Sequence, residues 1–190
     1  GNYVRLKLSA PFKPDSGEFN NKNTSGDPIL FNEAFVAVGG EWGELAAGRL
    51  ANIFSGNGDF GLCPHINPSP MGTNFPNAGL TPIFSSGYYY NNSVIYNSPR
   101  VNGFHVAAMY SNGRDDDSVS RGKSDQFSAL ALTYIGESFK FAVIPTYIDS
   151  DSLKTATVTP NDEYGIALLG SYWPEPTMGL HFGYQFVRDG

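Results

Sequence analysis

The chain has 190 residues, enough for one domain of ordinary size, and residues 1–190 are treated as a single domain. Charged residues make up 16% of it, aromatic residues 14%, and there are 22 glycines, a composition typical of many short strands and turns. The net charge of −6 argues against nucleic-acid binding, the single cysteine excludes an intrachain disulfide, and no run of about 18 apolar residues is present to form a transmembrane helix.

Three strands are predicted before residue 50. Residues 3–12 alternate between an apolar face and a polar face, and the polar face carries Arg5 and Lys7. A second strand is predicted at residues 30–39. The turn at residues 39–43 leads into a third strand, which ends at Arg49.

A long irregular segment, residues 50–91, follows the third strand. It is rich in Gly, Pro, Asn and Ser and has no sustained period of 2 or 3.6. Connections of about forty residues are uncommon in compact domains unless they are functional or disordered. This one is too apolar for a solvated linker, since it holds residues such as Phe54 and Phe60. We therefore expect a loop that folds back against, or into, the structure made by the flanking strands.

Six further strands are predicted after this segment, at residues 92–98, 104–111, 126–135, 139–148, 164–173 and 177–187. Pro145 cannot donate to a strand ladder, so we expect a bulge or a local break there. The connections alternate between short and long along the chain. In an antiparallel meander, that alternation places every long loop at one end of the sheet and every tight turn at the other.

Two architectures fit strands that have one apolar face. In a soluble sandwich or barrel the apolar face points inward, whereas in a transmembrane barrel it faces lipid and the small or polar residues face a watery lumen. Strands of about 8–11 residues, aromatic residues at the ends of the apolar faces, and many small residues on the opposite faces favour the transmembrane barrel. The soluble alternative is a ligand-binding module with residues 50–91 as its lid.

Three stretches of sequence resemble the Gram-negative general porins. Residues 43–49, Gly-Glu-Leu-Ala-Ala-Gly-Arg, resemble the strand that precedes the inward-folded third loop of that family. Residues 92–99, Asn-Ser-Val-Ile-Tyr-Asn-Ser-Pro, followed by Gly103-Phe104 and Tyr110, resemble the hairpin after that loop. Residues 30–36 are similar to the strand before the Gly-Arg strand.

The resemblance implies a fold, a location and partners. General porins are all-β, antiparallel up-and-down barrels of sixteen strands, of which about nine are represented here, without the first and closing strands. They are homotrimers in the outer membrane, in contact with its lipid and lipopolysaccharide, and they pass small hydrophilic solutes by diffusion. No cofactor is implied.

The expected constriction of the pore involves four residues. The resemblance makes residues 50–91 the constriction loop and Arg49 a wall arginine, although strict alternation requires a kink at Gly48 to turn Arg49 inward. Arg5 and Lys7 are lumen candidates by periodicity, with a rim position as the alternative. Asp59 is the only acid of the long loop, which makes it the expected partner of the wall cations, or else a turn cap.

Four more polar residues are expected to line the lumen: His105, His181, Gln185 and Asn91. The two histidines lack metal-ligand spacing, so no metal site is predicted. Because Asn91 stands where family members often have arginine, and the net charge is −6, we expect weak cation preference or near-neutrality.

Enzyme function is not predicted. The chain lacks Gly-x-Ser-x-Gly, His-Glu-x-x-His, and Gly-x-Gly-x-x-Gly before a helix, and it has no Cys-His pair at useful spacing.

Overall fold

The computed structural model describes residues 1–10, 13–18, 33–53, 58–62, 89–112, 126–149, 162–175 and 177–189. The predictions made for residues 11–12, 30–32 and most of the 50–91 segment, including Phe54, lie outside the described residues. The described part contains nine strands and no helix: β1 (Tyr3–Ser9), β2 (Glu33–Gly40), β3 (Gly43–Ala51), β4 (Tyr89–Asn97), β5 (Phe104–Ser111), β6 (Gln126–Ile135), β7 (Phe139–Asp149), β8 (Glu163–Glu175) and β9 (Met178–Asp189).

The nine strands form one sheet in chain order, from β1 to β9, and every neighbouring pair is antiparallel. This arrangement confirms the predicted all-β meander. The short connections join β2 to β3, β4 to β5, β6 to β7 and β8 to β9, so they share one end of the sheet, which we call the short-turn end. The long connections share the other end.

One face of the sheet, which we call the apolar face, exposes large hydrophobic side chains along its whole width. On β9, Leu180 and Phe182 are 51% and 52% exposed, and Leu130 in the middle of the sheet is 50% exposed. A soluble barrel would bury these side chains in its interior. The exposed apolar face therefore fits the transmembrane sense and contradicts the soluble alternative. No helix in the described part of the chain has the length and apolarity needed to span a membrane.

Aromatic side chains border the apolar face at both ends. At the short-turn end, Tyr134 lies with its ring centroid 5.0 Å from that of Phe104 and 5.9 Å from that of Phe141. At the long-loop end, the rings of Tyr147 and Tyr164 are 4.9 Å apart. Paired rows of this kind are typical of the interfacial girdles of transmembrane barrels.

The opposite face, which we call the loop face, carries small residues and also a hydrophobic core. Its buried alanines include Ala37, Ala46 and Ala131. Residues after β3 pack over them, with the ring of Phe60 5.2 Å from that of Phe35 on β2. The sequence predicted small or polar residues on this face. The core differs from that expectation because large side chains of the strands, such as Ile95, Met109 and Ile144, also lie on this face and join Phe60 and Leu62.

Two strands extend into the segment predicted as irregular. β3 continues to Ala51, and β4 begins at Tyr89, opposite Ala51, so the connection comprises residues 52–88 instead of 50–91. Asn91 thus lies within β4. The sequence conceals this extension because Asn91-Asn92 is a turn-like dipeptide, and Asn92 adopts a positive φ of 49°, which asparagine tolerates.

The kink expected at Gly48 is confirmed. The pairing of β3 with β4 shifts register between Gly48 and Leu50, and Gly48 has a φ of 144°. At Pro145 the register does not shift. The pairing of β6 with β7 includes Ala129–Thr146 and Leu132–Val143, but the two positions between these pairs are unpaired. Of the two predicted outcomes at Pro145, the structure therefore has the local break and not the bulge.

Candidate functional site

Four charged side chains of the strands gather around Asp59 on the loop face, and we call the five residues the anchor cluster: Arg5, Lys7, Glu33, Glu44 and Asp59. Arg5 and Lys7 are alternate residues of β1 and therefore share a face. Glu33 begins β2, Glu44 lies near the start of β3, and Asp59 belongs to the loop. Sequence positions more than fifty residues apart are thereby joined by direct ion pairs.

Glu33 is the buried centre of the cluster, with only 2% of its surface exposed. One carboxylate oxygen lies 2.5 Å from Lys7 Nζ. The other accepts hydrogen bonds of 3.3 Å from the backbone amides of Ala51 and Asp59. A buried carboxylate needs such partners, so Glu33 fixes the end of β3 and the loop to the wall.

Arg5 connects the wall to the loop through charge and through aromatic rings. Its guanidinium donates to Glu44 at 2.5 Å and to Asp59. It also lies 5.1 Å from the ring centroid of Phe35 and 5.5 Å from that of Phe60. These cation–π contacts hold the guanidinium between the strand and the loop.

Asp59 bridges both cations of β1, since one carboxylate oxygen accepts from Lys7 and the other from Arg5. Partial burial on its own would raise the pKa of Asp59. The hydrogen bonds from Lys7 and Arg5, with their positive charge, outweigh burial and lower the pKa below its ordinary value. Asp59 is therefore a carboxylate over the neutral pH range. With three carboxylates against two cations, the cluster carries a net charge of −1.

Arg49 lies at the bulge and makes a different set of contacts. Its guanidinium donates to the side-chain oxygen of Asn91 at 2.6 Å and lies 5.7 Å from the ring centroid of Tyr89. The backbone carbonyl of Asn91 accepts from Ser93 and Ser111. The structure thus brings Asp59 to Arg5 and Lys7, and brings Arg49 to Asn91.

The other three residues predicted to line a lumen have the following surroundings. His105 Nδ1 is 3.3 Å from the hydroxyl of Thr133. His181 Nδ1 is 2.8 Å from the hydroxyl of Ser171. The side-chain oxygen of Gln185 is buried and has no hydrogen-bond partner among the described residues. Their role in a lumen, like that of the anchor cluster and Arg49 in a constriction, stays a prediction.

Sequence reasoning missed Glu33, Glu44 and Tyr3, whose hydroxyl donates to Glu44 at 2.6 Å. Glu33 carried one usable signal. It is an acid at the start of an otherwise apolar strand that follows a turn. Its pairing with Lys7 depends on the register of β1 against β2, in which Ser9 lies opposite Glu33, and that register is not readable from either strand alone.

An open cavity of about 260 Å³ adjoins the cluster on the side of the short-turn end. Its polar lining includes Arg5, Glu44, Asp59, Arg100 and His105. Among the described residues, no group of three His, Cys, Asp or Glu side chains is placed to hold a metal ion.

Comparisons with known proteins agree with this architecture. The sequence is 36% identical over 198 residues to an outer membrane porin protein of Bordetella pertussis, which covers 96% of this chain and 49% of that protein. It is 29% identical over 159 residues to a chitoporin of Vibrio furnissii, covering 77% of this chain and 41% of that protein. The chain therefore spans about half the length of the curated relatives that it matches.

A solved structure, that of an anion-selective porin from Comamonas acidovorans, is similar in fold. It superposes with a TM-score of 0.65 over 97% of this chain and 53% of that chain, at 20% sequence identity. A family model described as Gram-negative porin matches residues 2–186. The chain thus belongs to the Gram-negative porin family, whose place is the outer membrane.

Proposed function

We propose that this chain forms part of the wall of a water-filled channel through which small hydrophilic solutes and ions diffuse passively. The observation that carries the proposal is the inverted arrangement of the sheet. Its apolar face is exposed across nine strands, and the charged side chains of the anchor cluster gather on the loop face. Hydrocarbon is the solvent that suits the first face, and water suits the second.

The anchor cluster supports a constriction role for the connection between β3 and β4. Two ion pairs hold Asp59 against β1, and Phe60 packs on Phe35, so residues 58–62 are held on the face proposed to line the lumen. Arg5, Lys7 and Asp59 are the proposed constriction residues, with Arg49 nearby at the bulge. His105, His181, Gln185 and Asn91 are proposed as polar lining.

For ion selectivity we propose weak cation preference or near-neutrality. The cations of β1 are already matched by carboxylates, and the cluster has a net charge of −1. The anion-selective structural relative is 20% identical in sequence, and this level of identity is evidence for a shared fold but not for a shared ion selectivity. Reversal potentials in a salt gradient across a planar bilayer test this proposal, and clear chloride preference would contradict it.

For the assembly we propose a homotrimer surrounded by outer-membrane lipid and lipopolysaccharide, as in the general porins. The protein acts as a channel and not as an enzyme. Sedimentation in detergent tests the trimer; a protein that is monomeric under conditions preserving its activity would overturn it.

Liposome swelling tests the channel directly. Liposomes that contain the whole protein should swell in sugars of graded size, fast for monosaccharides and progressively slower for larger oligosaccharides. Liposomes without the protein are the control. Swelling no faster than in the control would refute the proposal.

A further inference from the structure

Three side chains gather on the loop face at the short-turn end of β7, β8 and β9, and we call them the donor cluster: Lys140, Trp173 and His181. Lys140 lies opposite Ser171, and Ser171 lies opposite His181, so these residues share one face. Trp173 is two residues after Ser171 along β8 and returns to that face. None of the three belongs to the anchor cluster.

Each side chain of the donor cluster has a nitrogen that makes no hydrogen bond within the described part of the chain. Lys140 Nζ lies 5.0 Å from the ring centroid of Trp173, a cation–π contact that leaves its N–H groups available. His181 meets the hydroxyl of Ser171 through Nδ1, while its Nε2 remains on the other side of the ring. In the part of the chain that the structure describes, Lys140 Nζ, Trp173 Nε1 and His181 Nε2 have no hydrogen-bond acceptor.

Two of these nitrogens lie close to the backbone of Gly179. His181 Nε2 and Trp173 Nε1 each lie 2.9 Å from the point where a Cβ on residue 179 would stand. A Cβ on residue 179 would press on both rings, so glycine allows them to lie this close to the strand. The two rings meet edge to face, with centroids 5.5 Å apart, which holds the nitrogens in this arrangement.

A cavity of about 420 Å³ lies beside the cluster, and Lys140 and Trp173 line it together with Glu137 and Glu175. Neither glutamate forms an ion pair with Lys140 among the described residues. The cluster therefore presents an ammonium group and an indole N–H, both pure donors, and an imidazole nitrogen that donates in its Nε2-protonated form. An acceptor-only group with negative charge is the chemical complement of such a set.

We propose that the donor cluster is a weak binding site for the oxyanion group, carboxylate or phosphate, of solutes that move along the loop face. The inference rests on the proposed channel function and adds a solute class to it. Lys140 supplies the charge, while Trp173 and His181 supply directed hydrogen bonds. The nearby glutamates keep the binding weak, so an anionic group is held in passage and then released.

Inorganic phosphate and acetate are the probes, and the ionic current through the whole protein in planar bilayers is the first readout. At constant ionic strength, each probe should reduce the current in a concentration-dependent way. Lys140→Gln and Gly179→Ala should each raise the half-blocking concentration about tenfold, the first by removing charge and the second by displacing both rings. Lys13→Gln, which removes an exposed charge from a loop, should leave it within about twofold. A preference for phosphate or acetate identifies which oxyanion the cluster suits.

Tryptophan fluorescence in detergent provides a second readout that does not need conduction. The readout is the difference between the emission of the protein and that of its Trp173→Phe variant, which isolates the contribution of Trp173. Phosphate or acetate should change that emission, and Lys140→Gln should weaken the response about tenfold. Equal responses with and without Lys140 would overturn the inference, even if the channel conducts. If the protein shows no conductance but its fluorescence response depends on Lys140, the proposed channel function would be refuted and the proposed oxyanion site would be supported.

Discussion

At the scale of single residues, Glu33 and Lys7 determine how the loop is held. Glu33 is buried on the loop face, and Lys7 is the cation that neutralises it. Removing one partner of a buried pair costs far more than the pair itself contributes, because the remaining charge stays away from water. The strength of the anchor cluster therefore depends on keeping both partners.

Lys7→Met should destabilise the protein by about 3 kcal/mol, since it leaves Glu33 buried without a cation. The measurement is urea or thermal unfolding of the detergent-solubilised protein. Lys13→Met is the matched control, because Lys13 forms an exposed pair with Glu18 at 3.4 Å and should change stability by less than about 1 kcal/mol. Equal effects of the two substitutions would show that Glu33 does not depend on Lys7.

Asp59 gives a pH prediction whose sign follows from its lowered pKa. A carboxyl group with a folded-state pKa below the unfolded value adds stability above the unfolded pKa and loses it as the pH falls through the folded pKa. The loop should therefore stay anchored from pH 8 to pH 5. It should loosen only below about pH 4, the ordinary aspartate range.

Single-channel conductance against pH measures this loosening. Asp59→Asn should remove the acidic step and show an altered conductance already at pH 7, whereas Asp15→Asn, in an exposed loop, should behave like the parent protein. A conductance step near pH 6 that disappears in Asp59→Asn would contradict the lowered pKa.

At the scale of elements, the bulge in β3 places Arg49 against β4. The positive φ of Gly48 and its close approach to the backbone of Ala34 leave no room for a side chain. The bulge shifts the pairing so that Leu50 and Ala51 lie opposite Tyr90 and Tyr89. Arg49 then reaches Asn91 and Tyr89.

Gly48→Val should destabilise the protein by about 2–3 kcal/mol, because valine cannot adopt that φ without strain and would collide with β2. Ala47→Val is the control, since Ala47 is exposed beside it on the apolar face. Unfolding in urea compares the two. A loss of stability no greater than that of the control would mean that the bulge relaxes easily.

The sequence predicted the elements better than it predicted the site. Alternation in β1 was enough to place Arg5 and Lys7 on one face, and β5 and β6 were predicted with the bounds that the structure has. Glu33 and Glu44 were missed because their partners depend on register between strands that are joined by long connections. The sequence predicted that the segment after β3 folds against the strands, but it did not predict that Phe60 packs on Phe35, since a segment without periodicity gives no sign of which of its residues make the contact.

At the scale of the whole molecule, the two faces of the sheet account for both stability and proposed function. Apolar side chains are stable in contact with lipid hydrocarbon, so they need not be buried inside the protein. An apolar face that would aggregate in water is therefore suited to a bilayer. The loop face combines a packed core with ion pairs, and this is the arrangement that we propose narrows the lumen. Composition and alternation predicted this inversion because the alternation of apolar and polar residues along a strand is visible in the sequence. Contacts between residues far apart in the chain are not.

The orientation of the two faces is tested most directly at His181 and Phe182, neighbouring residues of β9. Phe182 is 52% exposed on the apolar face, and His181 is exposed on the loop face, opposite buried Ser171. Each is replaced by cysteine, with Cys63→Ser as background, and the reconstituted protein is treated with a charged, membrane-impermeant thiol reagent. The account predicts that His181→Cys reacts, whereas Phe182→Cys is protected and a fluorophore attached there is quenched by brominated lipid. Reaction at Phe182→Cys with quenching at His181→Cys would contradict it.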